Sequence, residues 1–566
     1  MDWKLRLEME KLKEQETSLV PEKSFGSAPV NVALAFPNAY ELGMANLGFQ
    51  AIYREINSRA DALCHRAFLF KGFPPYTMEA LKPLSEYDII GFSVSYEMDY
   101  FNVLKILDGA GIPLLASERK SPLVMAGGPA VTFNPEPLSA FVDLFVIGEG
   151  EEVIHEILDV FRESAGKPKE LILEKMAQIA GVYVPAFYEV RYGENGEIKE
   201  FKVHPPAPQK VKRRWVRNLN AFSTETAVVT PNTEFRDMFL IEVSRGCGRN
   251  CRFCMAGYCY RVPRARRAEK ILERAKFAAG LGKKVGLVGA AVSDYPQIDE
   301  LVEEFVRNGI KFSVSSLRAD SLSERLVQGL SFSGHKTLTI APEAGSQRLR
   351  QVINKGITEE HVLGAVELAE SYGIKNIKLY YIIGLPTETD DDIVEMIEFL
   401  IKIKERMAKG KNKDGVLTAS VNPFIPKPFT PFQWCGMEDL TVLEGRIKKL
   451  QGHLKSRGIR LLYESPRISQ VQAALARGDR DTAELLYKVH RSGGNLTKLK
   501  RFEVDGKKVE FYAHREFPLD AVLPWEFIDM GLSKDYFVKE YQRAMEGKAT
   551  RRCTEELCEI CKICAK

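Results

Sequence analysis

Long apolar runs are missing from this chain of 566 residues. Since no stretch of about 18 or more uninterrupted apolar residues occurs, the sequence predicts no membrane-spanning helix. The start of the chain, residues 1–23, is charged and lacks the apolar middle region of a secretory signal, which argues against export. We therefore expect a cytoplasmic protein that does not engage a membrane.

The chain also has no large excess of positive or negative charge, and it contains few histidines. The net charge is only +4, so total charge predicts little affinity for nucleic acid. Basic residues do cluster at 210–217, around Trp215, and at 261–267, where RNA contacts and ordinary salt bridges are both open interpretations. The eight histidines show no paired spacing typical of metal ligands, so we assign none of them to a metal.

The ten cysteines are distributed unevenly along the chain. Three fall between Cys247 and Cys254, and four fall between Cys553 and Cys564. In a reducing compartment, such groups favour metal or iron–sulfur ligation over disulfides. The sequence therefore predicts two separate metal-binding segments.

Hydrophobic patterning predicts an α/β protein with several units. Strands alternate with helices in two parts of the chain, and in the second part six strand–helix units in succession indicate a partial barrel. We predict five segments: a helical leader (1–27), a Rossmann-like α/β domain (28–165), a linker with short strands (166–236), a partial (βα)6 barrel (237–465) and a C-terminal extension (466–566) with a cysteine-rich tail.

The first cysteine group, Cys247-x3-Cys251-x2-Cys254, directly follows a predicted strand. Gly246 and Gly248 leave the backbone free to wrap around a bound group. Three thiolates can hold three irons of a 4Fe-4S cube and leave the fourth iron open to a small-molecule ligand, which indicates catalysis. The alternative for this pattern is a zinc knuckle completed by a further ligand such as Cys259.

This group resembles that of the radical S-adenosylmethionine (radical SAM) superfamily, in which an aromatic residue, here Phe253, precedes the last cysteine. The resemblance implies a 4Fe-4S cluster and S-adenosylmethionine as cofactors. It implies reductive cleavage of S-adenosylmethionine to a 5′-deoxyadenosyl radical that modifies a substrate still to be identified. It also implies an electron donor such as flavodoxin or ferredoxin.

Further segments at the ends of predicted barrel strands are similar to the family's cofactor contacts. On that similarity, the predicted cofactor-binding residues are Phe253, Gly289, Ala290, Ser293, Arg318, Glu343, Ser346, Gly384 and Pro386. One departure is that the family often has Gly-Gly-Glu after the second strand, whereas this chain has Gly289-Ala290-Ala291. Segment 420–428 resembles the sixth strand of methylthiotransferase-like members, which favours RNA as the substrate.

The N-terminal α/β domain looks like the cobalamin-binding domain of a subgroup of this family. Where that domain has Asp-x-His-x-x-Gly, this chain has Asn38-Ala39-Tyr40-Glu41-Leu42-Gly43, without a histidine that could ligate cobalt. Loops at 127–129 and 148–151 still suit a nucleotide tail, so cobalamin binding and a retained scaffold are both open. A cobalamin-dependent radical SAM methyltransferase is the enzyme alternative.

The tail carries Cys553-x4-Cys558-x2-Cys561-x2-Cys564, a ligand set that suits a second iron–sulfur cluster or zinc. A bound metal would stabilise a segment too short to bury a core of its own. The order of segments and this tail resemble an uncharacterised bacterial subfamily, whose members are associated with a separate or fused partner of unknown role. The competing hypothesis is a non-catalytic metal-binding module that recognises RNA or a protein.

Overall fold

The structure is a computed structural model that describes residues 1–194, 196–410, 414–494, 501–553 and 561. The strands are β1 (Thr17–Ser18), β2 (Val30–Ala35), β3 (Ala62–Ala67), β4 (Ile89–Ser93), β5 (Leu123–Gly127), β6 (Leu144–Val146), β7 (Val182–Tyr183), β8 (Tyr188–Tyr192), β9 (Ile198–Val203), β10 (Val211–Lys212), β11 (Val228–Val229), β12 (Met238–Glu242), β13 (Ser244–Arg245), β14 (Arg264–Ala265), β15 (Lys284–Val288), β16 (Phe312–Val314), β17 (Thr337–Glu343), β18 (Asn376–Ile383), β19 (Leu417–Pro423), β20 (Arg460–Tyr463) and β21 (Ile528–Asp529). The helices are α1 (Trp3–Glu14), α2 (Tyr40–Met44), α3 (Leu47–Ser58), α4 (Tyr100–Gly109), α5 (Pro129–Phe133), α6 (Gly150–Glu163), α7 (Lys169–Met176), α8 (Ala256–Cys259), α9 (Ala268–Gly280), α10 (Ile298–Arg307), α11 (Glu324–Phe332), α12 (Gln347–Val352), α13 (Glu359–Ser371), α14 (Asp390–Lys409), α15 (Leu440–Lys455), α16 (Pro466–Arg477), α17 (Asp481–Arg491), α18 (Val509–His514) and α19 (Lys534–Met545).

The chain divides into two compact units. The first comprises Met1–Asp237, Ala474–Ala513 and Asp520–Gly531, and the second comprises Met238–Ala473, His514–Leu519 and Leu532–Lys566. Segment 466–566, which the sequence presents as one extension, is thus shared between both units. Across the ranges that the structure describes, no helix is both long and apolar enough to cross a bilayer.

The first unit is built on a sheet with strand order β3-β2-β4-β5-β6-β7. All neighbouring strands pair in parallel except β6 and β7, which are antiparallel. The strands are buried on both faces, which is why they read as continuous apolar runs in the sequence. This sheet confirms the predicted Rossmann-like domain. In segment 166–236, β8 and β9 form an antiparallel pair.

The second unit contains two parallel sheets, β12-β15-β16 and β17-β18-β19-β20, which form an open barrel. Six of these strands are the ones that the sequence predicts, and the partial barrel is confirmed. The additional strand, β20, pairs with β19 at the edge of the second sheet. It is only four residues long and its side chains are mostly exposed, so its short apolar run does not show the alternation typical of a half-buried strand.

Parallel pairing places the carboxyl ends of neighbouring strands at one edge of each sheet in the second unit. The loops that follow β12, β15, β16, β17 and β18 carry the residues predicted to bind a metal and a cofactor. The fold therefore presents the predicted site residues on strand-end loops, where barrels of this kind place their sites.

Candidate metal and cofactor site

The three cysteines of the first group lie in a closed loop, residues 246–263, which we call the cysteine loop. It is bounded by β13 and β14, which pair antiparallel. The Glu242 carboxylate fixes the base of the loop, since it accepts hydrogen bonds from Arg245 (2.8 and 3.0 Å) and from Arg266 (2.8 Å). Because both ends are tied to the end of β12, the cysteines are held at the barrel edge.

Gly246 is required for the cysteine loop to close. Its φ of +81° lies in the left-handed region, and a Cβ atom there would come within 2.1 Å of the Tyr260 carbonyl oxygen. No other residue could be accommodated without moving the backbone. The glycine before Cys247 thus serves the closure of the loop against the Tyr260 carbonyl, whereas the sequence predicts that it frees the backbone to wrap around a bound group.

The three thiols lie close enough to influence one another. Burial raises the pKa of the Cys247 thiol, and Cys251 raises it further. Burial also raises the pKa of the Cys254 thiol to about 12, with additional contributions from Cys251 and Cys247. A bound metal or cluster would therefore have to displace protons from these thiols.

The donor set fits a cluster whose thiolates bind different irons. Among the residues that the structure describes, no three His, Cys, Asp or Glu side chains are grouped to hold one metal ion. Thiolates on three corners of a cube need not approach as closely as the ligands of a single zinc ion. The lack of a single-ion group among the described residues therefore does not argue against the predicted cluster.

Arg318, in the loop after β16, places a positive charge beside the cysteine loop. Its Nη1 donates to the Cys251 Sγ (3.9 Å), its Nε donates to Asp320 (2.9 Å) and its Nη2 donates to the Lys355 carbonyl (2.8 Å). Burial opposes its charge, but Cys251 and Asp320 outweigh that cost and raise the pKa of Arg318. The guanidinium is positioned to compensate negative charge on a thiolate or cluster.

Ser293 supports Arg318. Its Oγ accepts hydrogen bonds from the Arg318 backbone N–H (3.0 Å) and from the Ser321 hydroxyl (3.0 Å). The hydroxyl is buried, so its structural role is to hold the loop that carries the guanidinium.

Gly289 follows β15 at the same edge, and the neighbouring Ala290 is exposed. The Gly289 carbonyl accepts hydrogen bonds from the Ser315 (3.2 Å) and Ser316 (2.9 Å) hydroxyls. A Cβ atom at Gly289 would lie 2.7 Å from the Ser244 Oγ, so any larger residue would have to displace the Ser244 side chain.

Glu343 ends β17 with a left-handed φ of +69° and accepts a hydrogen bond from Lys355 Nζ (3.1 Å). The same ammonium lies 5.9 Å from the centre of the Phe253 ring, within cation–π range. Lys355 thus contacts both Glu343 and Phe253, two of the predicted site residues. No sequence pattern selects this lysine, because its proximity to the cysteine loop depends on the tertiary fold.

Ser346 caps helix α12. Its Oγ accepts from the Leu349 N–H (3.1 Å) and donates to Asp392.

Gly384 has a φ of +77° and donates its N–H to Glu388 (2.5 Å). The structure links the segment around Gly384 and Pro386 to the cysteine loop through apolar packing, because Leu385 and Phe253 belong to one cluster.

The tail cysteine Cys553 lies against the cysteine loop, where its backbone N–H donates to the Gly248 carbonyl (2.9 Å). Burial opposes the charge of Arg261, but Tyr536, Cys561 and Cys553 raise the pKa of this guanidinium. The two described tail cysteines therefore lie near one buried cation. Cys558 and Cys564 lie outside the described residues.

In the first unit, Tyr40 occupies the position at which a cobalamin-binding domain carries histidine. The side chain is buried, its hydroxyl donates to Glu16 (2.6 Å), and its ring packs edge-on against Phe68 at 5.1 Å. Tyr40 is thus a core residue of this unit and does not fit the role of a cobalt ligand.

The glycine loops at the edge of the same sheet pack against the unit's own backbone. Gly128 and Gly148 have φ values of +108° and +112°. A Cβ atom would lie 2.6 Å from the Val94 carbonyl oxygen at the first position, and 2.2 Å from the Arg214 carbonyl oxygen at the second. Internal packing is therefore sufficient to explain both glycines.

Comparison with known proteins identifies related chains. The family described as "Radical SAM proteins, N-terminal" matches residues 48–185, and the "Radical SAM superfamily" matches residues 241–400. The uncharacterized protein MJ0966 of Methanocaldococcus jannaschii is 32% identical over 464 residues, which cover 81% of this chain and 90% of that protein. The threonylcarbamoyladenosine tRNA methylthiotransferase MtaB of Aquifex aeolicus is 28% identical over 205 residues, which cover 34% of this chain and 46% of that enzyme.

Among solved structures, the radical S-adenosylmethionine methyltransferase TsrM from Kitasatospora setae, with cobalamin and a [4Fe-4S] cluster bound, matches with a TM-score of 0.50 and 13% identity. The match covers 82% of this chain and all of that chain, and at this identity it shows a shared fold. Together with the family matches and the near-complete coverage of MJ0966, the closed cysteine loop leads to one conclusion: the chain belongs to the radical SAM superfamily and is an enzyme of radical SAM type.

Proposed function

We propose that this chain binds a 4Fe-4S cluster through Cys247, Cys251 and Cys254 and uses it to cleave S-adenosylmethionine reductively. The observation that carries the proposal is the closed cysteine loop together with Arg318, whose Nη1 lies beside it at 3.9 Å from the Cys251 sulfur. Buried negative charge requires nearby positive charge. Arg318 supplies it at Cys251, and Lys355 supplies it at Phe253.

S-adenosylmethionine, when bound, supplies a 5′-deoxyadenosyl radical that can abstract a hydrogen atom from a substrate. We assign its binding to Phe253, Gly289, Ala290, Glu343, Gly384 and Pro386, which lie in the cysteine loop or at the carboxyl ends of β15, β17 and β18. Glu343 would bind the cofactor's ammonium group, and its pairing with Lys355 holds the carboxylate in place. Ser293 and Ser346 would act by holding Arg318 and helix α12.

RNA is the substrate that we propose. The support comes from the similarity to the tRNA methylthiotransferase and from segment 420–428. The basic stretches add little, because Arg214 pairs with Glu152 and Glu156, while Arg261 and Arg266 are buried. A small electron donor such as flavodoxin or ferredoxin would reduce the cluster.

The products of S-adenosylmethionine test this proposal. The anaerobically reconstituted chain, reduced with dithionite, is expected to form 5′-deoxyadenosine and methionine. Addition of bulk tRNA from a strain that lacks this protein should increase the yield and produce a modified nucleoside detectable by mass spectrometry. Absence of 5′-deoxyadenosine from a preparation that contains iron and sulfide would contradict the proposal, and failure of RNA to change the yield would remove RNA as the substrate.

Cobalamin-dependent methyl transfer is the second candidate, favoured by the Rossmann-like sheet of the first unit. Because Tyr40 is buried and held by Glu16, cobalamin would have to bind without a ligand from this residue. Corrinoid absorbance after anaerobic reconstitution, together with formation of S-adenosylhomocysteine, would support this candidate. A preparation without corrinoid that still forms 5′-deoxyadenosine would reject it.

We also propose that Cys553, Cys558, Cys561 and Cys564 hold a second metal, an iron–sulfur cluster in preference to zinc. Replacing all four by alanine is expected to remove roughly half of the iron if both sites carry a 4Fe-4S cluster. The measurement is the content of iron, sulfide and zinc per chain in the variant and in the unsubstituted protein. Loss of zinc with unchanged iron would identify a zinc site, and unchanged iron and zinc would refute a second metal.

A further inference from the structure

The residues between the cysteines of the cysteine loop bind a short segment near the C-terminus. We call this segment, residues 548–553, the strap. The contacts that join the loop to the strap come from Gly248, Asn250 and Arg252. Cys553 N–H donates to the Gly248 carbonyl (2.9 Å), and Asn250 Nδ2 donates to the Arg551 carbonyl (2.9 Å). Arg252 Nη2 donates to the Lys548 carbonyl (2.7 Å) and to the Thr550 Oγ1 (3.1 Å).

The three loop residues lie between the cysteines. Gly248 and Asn250 stand between Cys247 and Cys251, and Arg252 stands between Cys251 and Cys254. Asn250 has a left-handed φ of +59°, a conformation that asparagine adopts more readily than most residues. A Cβ atom at Gly248 would lie 3.2 Å from the Cys553 carbonyl oxygen, so glycine allows the strap to approach. The strap therefore fixes the loop through residues other than its cysteines.

Thr550 extends the contact to the rest of the second unit. Its N–H donates to Asn354 Oδ1 (2.8 Å), and Asn354 Nδ2 in turn donates to the Asn250 carbonyl (3.1 Å). The Thr550 hydroxyl donates to Glu540, which also pairs with the fully buried Arg252 (3.1 Å). Strap, loop and helix α19 thus share one partly buried hydrogen-bond network, in which the loss of one partner leaves others unsatisfied.

The strap also reaches the charges beside Cys251. Arg552 donates to Asp320 (2.7 Å), which accepts from Arg249 (2.7 Å) and from Arg318 (2.9 Å) as well. Asp320 is almost fully buried, so three guanidinium groups converge on one carboxylate next to the cysteine loop. Through Asp320, the strap helps to place the Arg318 guanidinium at the Cys251 sulfur.

We propose that the strap is part of the first metal site and holds the cysteine loop in the shape that binds the cluster. This inference rests on the proposed function, because it concerns the same cluster. Asn250 and Arg551 are 301 residues apart in the sequence, so the strap contributes positioning residues from the far end of the chain. The strap would organise the three thiols before the cluster is inserted, which lowers the cost of ordering the loop on binding.

The test compares two substitutions at one position of the full-length chain. Both are made in a background in which Cys558, Cys561 and Cys564 are alanine, so that iron reports on the first site. Cys553→Pro removes the thiol and the N–H that donates to Gly248, whereas Cys553→Ala removes only the thiol. The iron and sulfide content of Cys553→Pro is expected to fall several-fold below that of Cys553→Ala, as is the electron paramagnetic resonance signal of the reduced cluster.

A second pair of variants guards against a folding defect caused by proline. Arg552→Ala removes the contact with Asp320, and Lys539→Ala removes an exposed cation of helix α19. Arg552→Ala should lower the cluster content, while Lys539→Ala should leave it unchanged. The two variants should have the same circular dichroism spectrum, which shows that both are folded. Equal cluster content in Cys553→Pro and Cys553→Ala, or in Arg552→Ala and Lys539→Ala, would overturn the role of the strap. If the unsubstituted chain binds no iron, the proposed function itself fails.

Discussion

Replacing Cys251 by alanine is expected to reduce the cleavage of S-adenosylmethionine to background. Two thiolates would remain in the cysteine loop, and they cannot hold three irons of a cube while leaving one open. The Arg318 guanidinium would also lose the sulfur to which it donates, leaving a buried cation without that partner. Formation of 5′-deoxyadenosine by the reduced, reconstituted protein measures the loss, and iron and sulfide content show whether the cluster is absent.

Cys259→Ala provides the matched control for this prediction. Cys259 lies in the same loop, is also buried, and ends helix α8 five residues after Cys254. We expect this variant to retain its iron and to cleave S-adenosylmethionine within a few-fold of the unsubstituted rate. Persistent cleavage by Cys251→Ala would refute the assignment of the ligands. Loss of metal in Cys259→Ala would instead favour the four-ligand zinc knuckle.

The sequence predicts strands of two kinds. Strands β2, β4, β5 and β6 are buried almost throughout and read as short apolar runs, whereas β17 and β18 of the barrel alternate between buried and partly exposed positions. All of these strands are present in the structure. Strand β3 is fully buried but contains His65 and Arg66, which interrupt its apolar run. The positive charge of Arg66 is paired with Glu16 and Glu79, and these partners cannot be identified from local sequence patterns.

The candidate site divides in a similar way. Cysteine spacing predicts the cysteine loop, and the similarity of strand-end segments to those of the family predicts Arg318 and Glu343, because these signals are local. Lys355 and the strap depend on contacts between distant segments and therefore leave no local signal. Ser346 illustrates a second limit, since a serine between a strand and a helix suits both a cofactor contact and the N-cap that the structure shows.

The largest expected effect on stability lies in the first unit, at Arg66. Its side chain is buried and bound to Glu16 (2.6 Å) on one side and to Glu79 (2.6 Å) on the other. The two carboxylates overcome the cost of burial and raise the pKa of Arg66, while Arg66 holds the pKa of Glu79 below its usual range. Tyr40 donates to the same Glu16 carboxylate, so this network also fixes the loop after β2.

Arg66→Met keeps most of the side-chain volume but leaves both carboxylates buried without their cation. We expect the variant to lose about 3–5 kcal/mol of stability at neutral pH, the usual cost of breaking a buried ion pair by removing one partner. Hydrogen exchange of peptides that cover β2 and β3, followed by mass spectrometry, measures this loss within the first unit. The matched control is Arg6→Met, because Arg6 and Glu10 form an exposed pair, and no measurable change is expected there.

The dependence of this loss on pH separates an electrostatic cause from a packing defect. In the unsubstituted chain the lowered pKa of Glu79 adds stability above the usual carboxyl range, and that stability is lost as the pH falls through the lowered value. In Arg66→Met, burial without the guanidinium raises the pKa of Glu79, so the penalty grows with pH and disappears once the carboxyl group is protonated. As the pH falls, the second effect acts first, because the lowered pKa of Glu79 in the unsubstituted chain lies below the usual carboxyl value. The loss at about pH 5 should therefore be clearly smaller than at about pH 7. A loss that is equal at both pH values would indicate a cavity or disturbed packing around the methionine, and would show that the carboxylates are not what the guanidinium stabilises.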